Sequence, residues 1–298
     1  MTRDLWPLLP TLAVLLTSCA GAGGGSGGPD PSGEAIEHPS GEAIVVRVDV
    51  GGGFVPIEFT LAALPPFTLL GDGRVIIQGP QTAIYPGPAL PNLQQRRLSE
   101  SGIQAVLRLI SDTGLFHANA EYTGASNFVA DASTTAFTVS AGGRTVVVSI
   151  YGLGTLFEGG PELPAGEKAA HERLQQLNDR LNALETWLPD DAWTDAEFTT
   201  YTPEALRLFV RNADADAPDP SGIEPEERDW PLDAPLADFG EQTQRIPDFR
   251  CGIVAGADAV ELLEELANSN QLTRWRSGES VYALIARPLL PDEPATCG

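Results

Sequence analysis

The chain has 298 residues, 42% of them hydrophobic, and its 41 acidic against 18 basic side chains leave a formal net charge of −23. Such a charge repels phosphate backbones and anionic head groups, so nucleic acid is excluded as a natural partner and electrostatic lipid binding is disfavoured. The length exceeds what one hydrophobic core usually serves, which predicts two folded domains.

Residues 5–16 form an apolar run of twelve residues interrupted by Pro7 and Pro10. It is too short to cross about 30 Å of hydrocarbon and has the length of a signal-peptide core. The run closes on Leu16-Thr17-Ser18-Cys19 and is followed by a glycine-rich stretch. This arrangement resembles the lipobox of bacterial lipoproteins. The resemblance implies that residues 1–18 are a signal peptide, that Cys19 receives the lipid and becomes the first residue of the mature protein, and that the chain is held on the extracytoplasmic side of a membrane.

Residues 19–43 are Gly, Ser, Pro and Glu with almost nothing to bury, which predicts a flexible tether spanning roughly 25–30 Å. Within it Pro31-Ser-Gly-Glu-Ala-Ile36 recurs as Pro39-Ser-Gly-Glu-Ala-Ile44, which reads as a duplicated spacer. Of the three cysteines, setting Cys19 aside for lipid leaves Cys251 and Cys297 as an even pair in an oxidising compartment. A disulfide is the expectation. Two buried free thiols are the alternative, and a two-cysteine metal site lacks a histidine beyond His171 to complete it.

Residues 44–190 are expected to form an α+β domain. Residues 44–50 alternate as a strand, and residues 67–77 read as two strands joined through Asp72-Gly73, a strong hairpin signal. A helix follows from a Ser99 cap to a Gly114 stop, with Ile103, Val106, Leu107 and Ile110 on one face. A second hairpin turns at Ala141-Gly142-Gly143-Arg144. Residues 166–188 read as one long helix whose Ala170, Leu174, Leu177, Leu181, Leu184 and Leu188 repeat at heptad spacing, for packing on the sheet or for a dimer seam. The predicted fold class is α+β, a mainly antiparallel sheet with covering helices.

Residues 200–298 are expected to form a second, small α+β domain. Leu206, Leu208 and Val210 alternate as a strand, although Thr202-Pro203-Glu204 also suits a helix start. Residues 212–228 are acidic and proline-bearing, hence a solvated loop. Residues 251–254 read as a strand, and residues 257–269 as a helix with Val260, Leu263 and Leu266 inward. Residues 273–276 and 280–287 form a closing hairpin. Gly71-Asp-Gly-Arg74, Gly114-Leu-Phe116 and Arg287-Pro-Leu-Leu-Pro-Asp-Glu293 are similar to segments of uncharacterised lipoproteins of GC-rich bacteria, a resemblance that brings no activity with it.

Catalytic motifs are not evident. His171-Glu172 begins like the zinc-protease pattern, yet its fifth position is Gln175. His117 has no nucleophile signature to serve, and His38 falls in the tether. Gly51-Gly-Gly53 and Gly152-Leu-Gly154 fit no phosphate loop, and no cofactor is expected. Asp214, Asp216 and Asp219 are clustered enough to raise calcium, but an EF-hand counted from Asp214 has Asp219 where glycine belongs and Pro225 where glutamate belongs. The expected function is that of a membrane-anchored binding or scaffold module at the cell envelope, meeting the membrane through Cys19 and a basic envelope protein through its acidic surface. An envelope hydrolase using carboxylates and a calcium-binding protein are the alternatives.

Overall fold

The computed structural model describes residues 34–155, 162–216, 221–243 and 246–297. The expected signal peptide, Cys19 and most of the expected tether lie outside the described residues. In chain order the elements are β1 (Ile44–Gly52), α1 (Ile57–Ala62), β2 (Phe67–Leu70), β3 (Arg74–Gln78), β4 (Leu93–Arg97), α2 (Glu100–Asp112), β5 (Ala120–Tyr122), β6 (Ser133–Ala141), β7 (Arg144–Tyr151) and α3 (Ala165–Leu181). There follow β8 (Thr199–Thr200), β9 (Ala205–Asn212), β10 (Glu227–Asp229), β11 (Glu241–Gln242), β12 (Arg250–Ala255), α4 (Ala257–Ala267), β13 (Arg274–Ser277) and β14 (Ser280–Pro288).

The fold is α+β, built on two mostly antiparallel sheets. The first runs in the order β5-β7-β6-β1-β2-β3-β4-β8 and the second β10-β13-β14-β9-β12-β11. Both hairpins of the first sheet turn where glycines take positive φ: Gly73 at 87° between β2 and β3, and Gly142 and Gly143 at 58° and 71° between β6 and β7. Two successive left-handed residues give a turn whose twist matches that of the strands, which is why a Gly-Gly pair suits a two-residue hairpin.

One face of the first sheet is covered by α2 and α3. Val46, Val48, Phe67, Phe137 and Val148 meet Ile103, Val106, Leu107 and Ile110 of α2 and Leu174, Leu177 and Leu181 of α3 in one buried cluster. Ser99 caps α2 as expected, its hydroxyl accepting from the Gly102 amide. The helix α3 is shorter than its leucine repeat implies: it ends at Leu181, and Leu184 and Leu188 reach the same cluster from a 3-10 turn and the loop after it. The whole seam is therefore occupied by the sheet.

The second sheet buries Leu206, Leu208 and Val210 of β9 against Ala259, Leu262 and Leu266 of α4, with Trp275 beneath. Val260 corrects the expectation for this helix, since it points outward and is exposed while Ala259 and Leu262 face the sheet.

Residues 36–298 form one compact unit that holds both sheets. The remaining faces of the sheets are joined by α1 and by the chain after β14. Leu61 of α1 packs toward Phe209 and Cys251 on the second sheet. Leu64, just beyond α1, packs with Leu70, Ile76 and Leu93 of the first sheet and with Leu290 of the carboxy-terminal tail. The tether expectation also shifts at its end. The chain is docked from Ile36 onward, with the Ile36 amide donating to Gln104 Oε1 at 2.8 Å and Gln104 Nε2 donating back to the Ile36 carbonyl at 2.8 Å.

Candidate functional site

The docked segment before β1 forms one wall of a cleft of about 670 Å³, lined by residues that include Glu37, His38, Glu42, Thr138, Ser140, Arg144, Thr145 and Asp292. The segment is held on both sides. The Gly142 amide donates to the Glu37 carbonyl at 2.7 Å, the Asp72 amide to the Gly41 carbonyl at 2.7 Å, and the Gly71 amide to the Ala43 carbonyl at 2.9 Å. Gly71 permits this contact, because a Cβ there would stand 2.3 Å from the Pro39 carbonyl oxygen. His38 locks the inner edge: Nδ1 lies 2.7 Å from the Pro39 carbonyl and Nε2 3.2 Å from Glu100. Both ring nitrogens thus face oxygen acceptors.

The floor follows from strand alternation. Thr138 and Ser140 of β6 point away from the core that Phe137 and Val139 enter, and Thr145 pairs with Ser140 across the hairpin. Their hydroxyls bond to each other, Ser140 Oγ to Thr145 Oγ1 at 2.9 Å. Arg144 at the rim is turned to the His117 carbonyl at 3.0 Å.

Asp292 closes the cleft from the tail. Its carboxylate meets Arg47 Nη2 of β1 at 2.9 Å. Burial pushes the Asp292 carboxyl above its usual range, with Arg47 opposing. Asp49, two residues along the same face of β1, is raised in the same way by burial against the pull of Arg47. Arg47 Nε and the hydroxyl of Thr68, its cross-strand neighbour on β2, are buried without a protein partner. Next to Asp292, Glu293 binds Arg287 of β14 with both oxygens, at 2.8 and 2.7 Å. It also accepts the Leu290 amide at 2.9 Å. Burial works to raise the Glu293 carboxyl, but the Arg287 and Leu290 hydrogen bonds outweigh it and hold it below its usual range. Arg287 is anchored in turn by Nε donating to the Ala63 carbonyl at 2.8 Å.

The residues singled out in the sequence fall elsewhere. Cys251 and Cys297 are joined by a disulfide with Cα atoms 5.9 Å apart, tying the tail end to β12. Asp214 accepts the Val281 amide at 2.7 Å and Asn212 Nδ2 at 2.9 Å. Asp216 lies between Arg211 and Arg274, at 2.9 and 2.8 Å. Asp219 lies outside the described residues. The two described aspartates thus satisfy backbone and guanidinium groups, and among the described residues no group of three or more His, Cys, Asp or Glu is placed to hold a metal ion. His171 is a buried residue of α3, and His117 lies in the loop after α2.

The arrangement presents the carboxylates of Glu37, of Glu42, which is paired with Arg74 at 2.8 Å, and of Asp292, paired with Arg47, over a floor of hydroxyls. That chemistry complements a cation carrying hydrogen-bond donors, such as an ammonium or guanidinium group. Sequence spacing could not bring Asp292 to Arg47. The available signal was the polar alternation Arg47-Val48-Asp49 in a strand whose other face is apolar. Set against protein families, curated proteins and solved structures, the chain matches none of them.

Proposed function

We propose that the chain is a lipid-anchored envelope protein that binds a basic segment of an extracytoplasmic partner in the cleft between residues 37–43 and the β6–β7 hairpin. The anchor part rests on Leu16-Thr17-Ser18-Cys19 at the end of a short apolar run. The single observation that carries the binding part is a cleft walled by Glu37, Glu42 and Asp292 and floored by Thr138, Ser140 and Thr145. Two exposed wall carboxylates make such an interaction sensitive to ionic strength.

Two measurements test the two parts separately. Metabolic acyl labelling is expected on the full chain and lost on Cys19→Ala; equal labelling of both removes the anchor. Titration of the purified protein with a hexalysine peptide is expected to give binding that weakens as salt rises and is lost in Glu37→Lys/Glu42→Lys. Binding indifferent to both changes removes the cleft. A carboxylate hydrolase is the second reading, supported by the burial that raises Asp49 and Asp292 beside Arg47. Turnover of a glycan or ester that disappears in Asp292→Asn would select it.

A further inference from the structure

The far end of the first sheet carries a different surface. After β1 the chain runs Gly51-Gly-Gly-Phe54-Val55-Pro56-Ile57-Glu58-Phe59, and Phe54 is 90% and Phe59 64% exposed, with Val50, Val55 and Ile57 exposed beside them. Gly52 and Gly53 take φ of 77° and 83°, and the Phe54 amide is pinned to the Asp131 carbonyl. The short helix α1 that follows buries none of its residues completely. No basic residue lies between Arg47 and Arg74, so the protrusion lacks the arginine that marks protein interface centres. Its apolar side chains project from the turn after β1 and from the first turn of α1.

We propose that this loop is a second membrane contact, inserting Phe54 and Phe59 into the head-group boundary of a zwitterionic lipid surface. The inference rests on the anchor at Cys19, and the number of residues between Cys19 and Ile36 supports it. Ile36 docks at the end of the sheet where β1 begins, whereas Phe54 follows the end of β1, a strand of nine residues spanning roughly 30 Å. The 17 residues from Cys19 to Ala35 can reach at most about 55–60 Å. That reach exceeds the strand, so a chain fixed by Cys19 can lay the strand axis along the bilayer and bring the loop to the same surface. Tethering raises the local concentration of the loop at the membrane to the millimolar range, so a weak intrinsic affinity is sufficient. Aromatic and aliphatic side chains at an interface supply such an affinity without basic residues. The acidic net charge selects uncharged lipid over anionic lipid.

The test uses the chain from Ala20 onward, which keeps every described element and both cores but has neither lipid nor signal segment. It is floated with phosphatidylcholine vesicles at several millimolar lipid. Co-flotation is expected, undiminished by added salt, weaker on phosphatidylglycerol, and reduced at least tenfold in Phe54→Ser/Phe59→Ser. Phe54→Trp is expected to keep binding and to shift its emission to the blue with vesicles. Absence of co-flotation, or co-flotation equal in the double variant, overturns the proposal. A concentration-dependent dimer that the double variant abolishes assigns the loop to a second copy instead and also overturns it. Acyl labelling of Cys19 in the full chain is a separate readout: labelling without co-flotation removes the loop contact alone, and co-flotation without labelling removes the anchor alone.

Discussion

Glu293→Gln removes one charge from the clasp between the tail and β14, and the structure sets the size of the effect. The Arg287 and Glu293 side chains are 10% and 12% exposed, and the carboxylate satisfies two guanidinium nitrogens and the Leu290 amide at once. Breaking a buried pair by neutralising one partner costs about 3–5 kcal/mol, because the other charge stays behind without compensation. Glutamine keeps one oxygen acceptor, so about 2–4 kcal/mol is expected here, read from urea unfolding at pH 7 with an unchanged slope. The pH dependence adds a second constraint. The folded-state pKa of Glu293 lies below its ordinary value of 4.5, so its stabilisation is complete above that value and is lost as pH falls through the folded pKa. Asp49 and Asp292, raised above 3.8, act in the opposite direction. The folded chain retains their protons where the unfolded chain has released them, so their effect on stability turns unfavourable as pH rises through the folded values. Glu293 is among the charges that raise both aspartates, so Glu293→Gln also relieves them, and the difference between wild type and variant carries that coupling while narrowing below pH 4.5. A difference under 0.5 kcal/mol at pH 7, or one that does not change on acidification, would refute the clasp as a stabilising ion pair.

Two further outcomes follow from buried groups. Cys297→Ser opens a loop of 46 residues, which the chain-entropy estimate values at about 4 kcal/mol, and denaturant midpoints with and without reductant should separate for wild type and coincide for the variant. His171 is buried with Nε2 unpartnered, and burial holds its pKa below 6.5 against the pull of Glu167. The unfolded chain therefore takes up the proton first. Wild-type stability should fall by up to about 1.4 kcal/mol per pH unit below 6.5, while His171→Leu gives a flatter profile; parallel profiles would discard the buried neutral histidine.

Local signals in the chain carried the elements whose physics is local. Asp72-Gly73 and Gly142-Gly143 mark hairpins because the turn itself demands positive φ, and Ser99 with the Ile103, Val106, Leu107, Ile110 face marks α2 because cap and stripe lie within four turns. β4 was not legible. Its Leu93-Gln-Gln-Arg-Arg97 has no apolar alternation, and it is held by its ladders to β3 and β8, with the Arg96 guanidinium 4.0 Å over the Trp193 ring and bonded to Glu185. The end of α3 was misread for a different reason: Leu184 and Leu188 enter the same core as the helical leucines, and burial sustains a heptad pattern after the helix has stopped. The cleft was the least legible feature. Arg47 and Asp292 are 245 residues apart, and no periodicity reports an ion pair formed between a first strand and a closing tail.

The closing tail also imposes an order of events. Leu290 and Asp292 come after β14, yet they pack against Leu70 and Ile76 and pair with Arg47 in strands made much earlier. Until they arrive, Leu70 and Ile76 of the first sheet lack this cover and Arg47 lacks its acid. Closure of the junction between the sheets therefore waits for residues 289–293, and the link from Cys297 to β12 waits for an oxidant. A chain halted a dozen residues short would carry almost all of the sequence and still lack the contacts that close the junction between its sheets.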